Sequence, residues 1–167
     1  ETIKLDPSVG LSVDQILLTG KITIKGSGSD NVVIGTGNQD VGSANVVIGV
    51  DAGAAMTSGV NNVFIGFNAA DILTAGNSNV CIGRDSAPHM TGTISNTIIG
   101  MSAGEVIATG SFNTYIGFRS TASGSYAKNE VVICGGQDIT QTVGKGSNTV
   151  VLGASNVTDI YMSGDSG

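Results

Sequence analysis

The sequence predicts an all-β protein, a parallel β-solenoid with coils of about 17 residues, and three observations predict it. The first is a repeated pentapeptide. NVVIG stands at Asn31–Gly35 and again at Asn45–Gly49, and NVFIG, NVCIG, NTIIG and NTYIG follow from Asn62, Asn79, Asn96 and Asn113. The second is its spacing. The glycines that close the copies, with Cys134 taking the glycine place in EVVIC and Gly153 ending TVVLG, are separated by 14, 17, 17, 17, 17, 17 and 19 residues. The third is composition: 26 glycines and no Trp among 167 residues, 12% charged against about 25% in an average soluble chain. With 40% hydrophobic residues the chain is not a disordered one. Its order must come from small residues stacked closely.

A period of 17 is too short for a pair of helices and suits one solenoid coil. Within each coil N-x-x-I is a strand, because Val and Ile favour the pleated backbone. The glycine after it makes a corner. Three residues past that glycine comes a small residue (Ala52, Ala69, Ser86, Ala103, Ser120), and seven past it a second apolar column (Met56, Leu73, Met90, Ile107) that fails at Gly124. A second short strand belongs near that column, and a turn containing Gly59, Gly76, Gly92 or Gly110 leads to the next Asn. Coils stacked at about 4.8 Å give a rod of about 35–40 Å. The column Asn45, Asn62, Asn79, Asn96, Asn113, closed by Glu130, reads as a ladder of side-chain amides bonded along the rod. The alternative is an exposed glycan- or ice-binding row.

Alternation puts the second and fourth residues of N-x-x-I-G on one face and the third on the other. The second and fourth columns, Val46, Val63, Val80, Thr97, Thr114, Val131 and the Ile column from Ile48 to Ile133, read as the coil's own core. The third column, Val33, Val47, Phe64, Cys81, Ile98, Tyr115 and Val132, then faces outward as a continuous apolar stripe, more than a monomer ordinarily exposes. It is expected to be buried against other copies of the chain, so that Phe64→Asp separates them. The alternative is a flattened coil that holds both strand faces inside one chain.

The pattern NVVIG…A…G…NNVFIG resembles the head repeats of trimeric autotransporter adhesins and similar repeats of phage tail fibres, over about Asn31–Gly153. The resemblance implies three chains packed side by side as β-solenoids about one axis. Adhesin heads have shorter coils, so the 17-residue period fits the tail-fibre version better. Residues 1–28 lack the repeat and read as a lead-in or junction, 29–153 as the solenoid, and 154–167 as a cap, with Ile160 and Met162 closing the last coil, or as a processed end. A chain that starts at Glu1 reads as processed or excised.

Net charge of −6 and a pI near 4.4 argue against nucleic acid and anionic membranes as partners. The apolar runs are too short for membrane insertion. Known chemistries fit poorly. GDSG at Gly164–Gly167 matches a serine-protease segment, but a triad needs a His and an Asp set by an unrelated fold, and His89 is the only histidine. IGVDAG and its copies satisfy a hexapeptide rule of acyltransferase β-helices once per coil, where those enzymes need about three. Cys81, Asp85 and His89 share one turn region, weak support for a tetrahedral metal site. Cys81 and Cys134 lie three coils apart, about 14 Å, so both are expected as free thiols rather than a disulfide. Asp51 and Asp85, two coils apart in one column, approach the spacing of a hydrolase pair without a third group. The short Thr57, Thr74, Thr91 column breaks at Ala108 and offers little to ice.

The expected function is therefore mechanical and adhesive, with no enzyme activity, cofactor or metal. The chain is expected in a virion tail as a homotrimeric tail-fibre segment that presents a surface to a bacterial receptor, a glycan or an outer-membrane protein. The alternative is an adhesin head on a bacterial surface, and less so a tailspike-like glycan hydrolase. Receptor contacts would come from turn residues outside the columns: Arg84, Asp85, Pro88, His89, Arg119 and Tyr126.

Overall fold

The computed structural model describes residues 32–34, 42–134, 142–153 and 157. The lead-in at 1–28, the closing residues Ile160 and Met162, and the GDSG segment lie outside the described residues. The described chain is all β with no helix. Eight strands form one parallel sheet in the order β1 (Val32–Ile34), β2 (Val46–Ile48), β4 (Val63–Ile65), β6 (Val80–Ile82), β7 (Thr97–Ile99), β8 (Thr114–Ile116), β10 (Val131–Ile133) and β12 (Val150–Leu152). At about 4.8 Å per step they span about 34 Å. Two further pairs are parallel as well: β3 (Ser58–Val60) with β5 (Ala75–Asn77), and β9 (Ser120–Thr121) with β11 (Thr142–Val143). The first pair follows the Met56/Leu73 column, as the repeat predicts.

Register follows the repeat. Val47 lies opposite Phe64, Phe64 opposite Cys81, Cys81 opposite Ile98, Ile98 opposite Tyr115 and Tyr115 opposite Val132. The unequal end steps keep this pairing, Val33 opposite Val47 and Val132 opposite Val151. The corners explain the glycines. Gly49, Gly66, Gly83 and Gly100 have φ between 131 and 137°. A Cβ on Gly66 would lie 2.5 Å from the carbonyl oxygen of Gly83, so the corner admits no side chain. Two residues later each coil sets a left-handed residue: Asp51, Asn68, Asp85, Ser102 and Arg119, with φ of 52–55°.

The interior differs from the sequence expectation. Val47, Phe64, Cys81, Ile98, Tyr115 and Val132, expected between copies, are buried inside the single chain, at 0–1% exposure. They pack with the small column and with Met56, Leu73, Met90 and Ile107. Val33 packs against the same core. The second and fourth columns face outward and are mostly half-buried. Asn45 explains the inversion. It is the first residue of its copy, so alternation puts it on the same side as the third residue, and a buried amide ladder carries the third column inward. Size variation is absorbed locally: a Cβ on Gly53 would lie 3.0 Å from the Phe64 ring, and one on Gly104 2.9 Å from Ile98. Phe64→Asp would thus unfold the chain rather than separate copies.

The ladder runs through five asparagines. Each Oδ1 from Asn45 to Asn96 accepts from the backbone N–H of the next Asn at 2.8–3.1 Å and from its Nδ2 at 3.0–3.2 Å. Each Nδ2 also donates to a carbonyl, that of Gly59, Gly76, Thr93, Gly110 or Ala127, at 2.7–3.1 Å. The asparagines are 0–1% exposed, which sets aside the glycan- or ice-binding row. The amide is the group that satisfies this site, since it donates twice and accepts twice.

Candidate functional site

Two surfaces are left for function, and the corner positions both. The first is the outer face of the eight-stranded sheet. Its Val column (Val46, Val63, Val80, Thr97, Thr114, Val131, Val150) and its Ile column (Ile48, Ile65, Ile82, Ile99, Ile116, Ile133, Leu152) carry no charge. Past the corner glycine a further exposed apolar row begins, with Val50, Phe67 and Met101, interrupted by Arg84. Sequence reasoning placed the apolar stripe on the wrong parity. The position of Asn45 on the inward side was the signal that could have found it.

The second surface is polar and lies where the left-handed residues turn their side chains out. Asn68 Nδ2 donates to Asp85 Oδ1 at 3.2 Å, and Arg84 Nε donates to Asp85 Oδ2 at 2.9 Å. Both Asp85 oxygens are therefore engaged, and the Arg84 side chain remains largely exposed at 66%. One coil on, Arg119 approaches Glu105 Oε2 at 3.7 Å. His89 Nδ1 meets the Glu105 carbonyl, which can only accept, so that nitrogen donates. Pro88 is half-buried beside His89. The structure thus joins Arg84 with Asp85, and His89 and Arg119 through Glu105. Tyr126, 75% exposed, belongs to another turn and stands apart from them in the coil. Asn68, which bonds to Asp85, and Glu105, which joins His89 and Arg119, were missed because each looks like an ordinary turn residue until stacking brings neighbouring coils together.

The other sequence candidates separate. Cys81 is fully buried in the core, and burial pushes its thiol far above the ordinary range, while Asp85 and His89 bond elsewhere on the surface. These three do not converge on a common point. Both cysteines are free thiols. Asp51 and Asp85 share a column, but Asn68 lies between them and bonds to Asp85. The hydroxyls of Thr57 and Thr74 donate along the rod to the carbonyls of Thr74 and Thr91 at 3.1 and 3.0 Å.

One buried acid lies at the end of the ladder. Glu130 is 0% exposed, and its N–H donates to Asn113 Oδ1 at 2.9 Å. Its Oε2 accepts from Tyr115 Oη and from the Ser123 N–H, both at 3.0 Å, and its Oε1 from the Gly146 N–H at 2.9 Å. Burial, and then the charge and hydrogen bond of Glu130, push the Tyr115 phenol far above its usual range. The carboxylate accepts from three donors and ends the amide ladder.

No protein-family model, characterised protein or solved structure matches the chain.

Proposed function

We propose that the chain is a structural and adhesive segment of a phage tail fibre, assembled as a homotrimer and presenting a receptor-binding surface to a bacterial host cell. One observation carries this reading: a narrow rod of uniform coils bears an uncharged Val/Ile face along its whole length. A chain of net charge −6 can approach a second copy of itself most readily through such a face. Burying half-exposed Val and Ile contributes about 25 cal/mol per Å². The polar corner around Arg84, Asp85, Glu105 and Arg119 stays outside the association face and supplies the candidate receptor contacts, toward a glycan or an outer-membrane protein. Three such corners on one rod would add avidity to weak single contacts.

Light scattering on the purified chain tests the association. A mass near three times 16.6 kDa is expected. Ile65→Asp, on the outer face, should give a folded monomer with an unchanged β spectrum. A monomeric wild-type chain overturns the reading.

A further inference from the structure

We propose that Thr97 and Thr114 form a hydroxyl layer between copies of this chain and fix their register along the rod; the inference rests on the self-association read above. The outer face is almost the same at every coil. Val46, Val63 and Val80 succeed one another in one column, and Ile48, Ile65, Ile82, Ile99 and Ile116 in the other. A copy that slides by one coil, about 4.8 Å, again sets Val against Val and Ile against Ile. Apolar burial alone therefore hardly distinguishes one alignment from the next.

Two positions break the sameness. Thr97 and Thr114 occupy the Val column in consecutive strands, opposite each other in β7 and β8, with Val80 before them and Val131 after. Both are half-buried on the outer face. Threonine keeps the shape of valine and puts a hydroxyl in place of one methyl, so the face stays flat. The backbone groups of both residues serve the ladder, and neither hydroxyl is bonded within the described chain. A hydroxyl removed from water between copies needs a partner. Three hydroxyls around a threefold axis supply one another, each donating once and accepting once, so the ring closes with no donor left over. In register, Thr97 meets Thr97 and Thr114 meets Thr114. After a slip of one coil, Thr114 meets Thr97, and the remaining hydroxyls face valine methyls. A lone polar residue in an apolar seam sets register in coiled coils by the same logic. A second copy is the fitting occupant, because only a surface with the same one-coil repeat matches this face along its length.

The test compares wild type, T97V/T114V and T97S/T114S. A nitroxide is placed on Ser58→Cys chains and a gadolinium tag on Thr109→Cys chains, both at exposed positions. Cys81 and Cys134 are buried and stay unlabelled. The labelled chains are co-assembled and the spin–spin distance is measured. The two labels lie three coils apart, an axial offset of about 14 Å that a one-coil slip changes to about 10 or 19 Å. Wild type and T97S/T114S should give one narrow distance, and T97V/T114V a broadened set with the mass of a trimer retained. A single narrow distance in T97V/T114V overturns the proposal, as does loss of its trimer, since valine strengthens an apolar face. A trimer whose register survives the valines overturns this inference alone, whereas a monomeric wild type overturns the association reading with it.

Discussion

The coils from Asn45 to Asn113 and the coil around Glu130 solve the same problem with different chemistry. In the regular coils a neutral amide meets a donor above and an acceptor below, so an identical residue can repeat without limit. At Glu130 a carboxylate replaces the amide. It has no hydrogen to give and therefore cannot continue the ladder. It gathers donors instead, from Tyr115, Ser123 and Gly146. Neighbouring residues make room for it. Gly124 leaves the large apolar column vacant, and a Cβ on Gly144 would collide with the Glu130 carboxylate. The next copy then lengthens from 17 to 19 residues. The amide ladder continues where its polar group both gives and receives, and ends where the group only receives, although the sheet itself runs on by one more strand.

Exchanging the two groups breaks the comparison most directly. Asn96→Asp removes the donors to Asn79 Oδ1 and to the Gly110 carbonyl and sets a buried charge against both oxygens. It should destabilise the chain by about 3–5 kcal/mol in denaturant titration, with partial recovery in acid as the new carboxyl gains a proton. Glu130→Gln is the mirror change and should do less. Whichever way the amide turns, its NH2 faces a backbone N–H, that of Ser123 or of Gly146. A loss of about 1–3 kcal/mol is expected. Hydrogen exchange should quicken at Ser123 and Gly146, while Asn62 and Asn79 stay protected. Quickening along the entire rod would mean that the two regions are not separate.

The smallest effect concerns alkaline pH. Cys81 and Tyr115 both have pKa values raised by folding. Each therefore contributes stability that is complete below its unfolded pKa, about 8.5 for the thiol and 10 for the phenol, and that is lost as pH rises. Thermal melts should fall from about pH 9 upward. Tyr115→Phe should flatten the part that begins near pH 10. Cys81 should resist thiol reagents until the chain unfolds; rapid labelling of the native protein would contradict its place in the core.

Much of this was legible in the residues. The recurring Asn, Ile and Gly columns marked the coil, its strand and its corner, because stacking on identical neighbours imposes the same demand at each level. The ladder was legible too as a column of stackable amides, but the sequence left open whether that column lay inside the coil or on its surface. The polar group at the corner was legible only as separate residues. Arg84 and Asp85 are adjacent in sequence, but Asn68 reaches Asp85 from 17 positions away, and Arg119 reaches Glu105 from the next coil.

The period, the parallel register and the glycine corners of this protein follow from its sequence by itself, since each is a local rule repeated. Which strand face is interior was decided only by the tertiary structure. Both faces are apolar, so hydrophobicity could not choose between them. The buried amides chose, because an asparagine with four hydrogen-bonding sites has all of them met between stacked coils, and the third column shares its side.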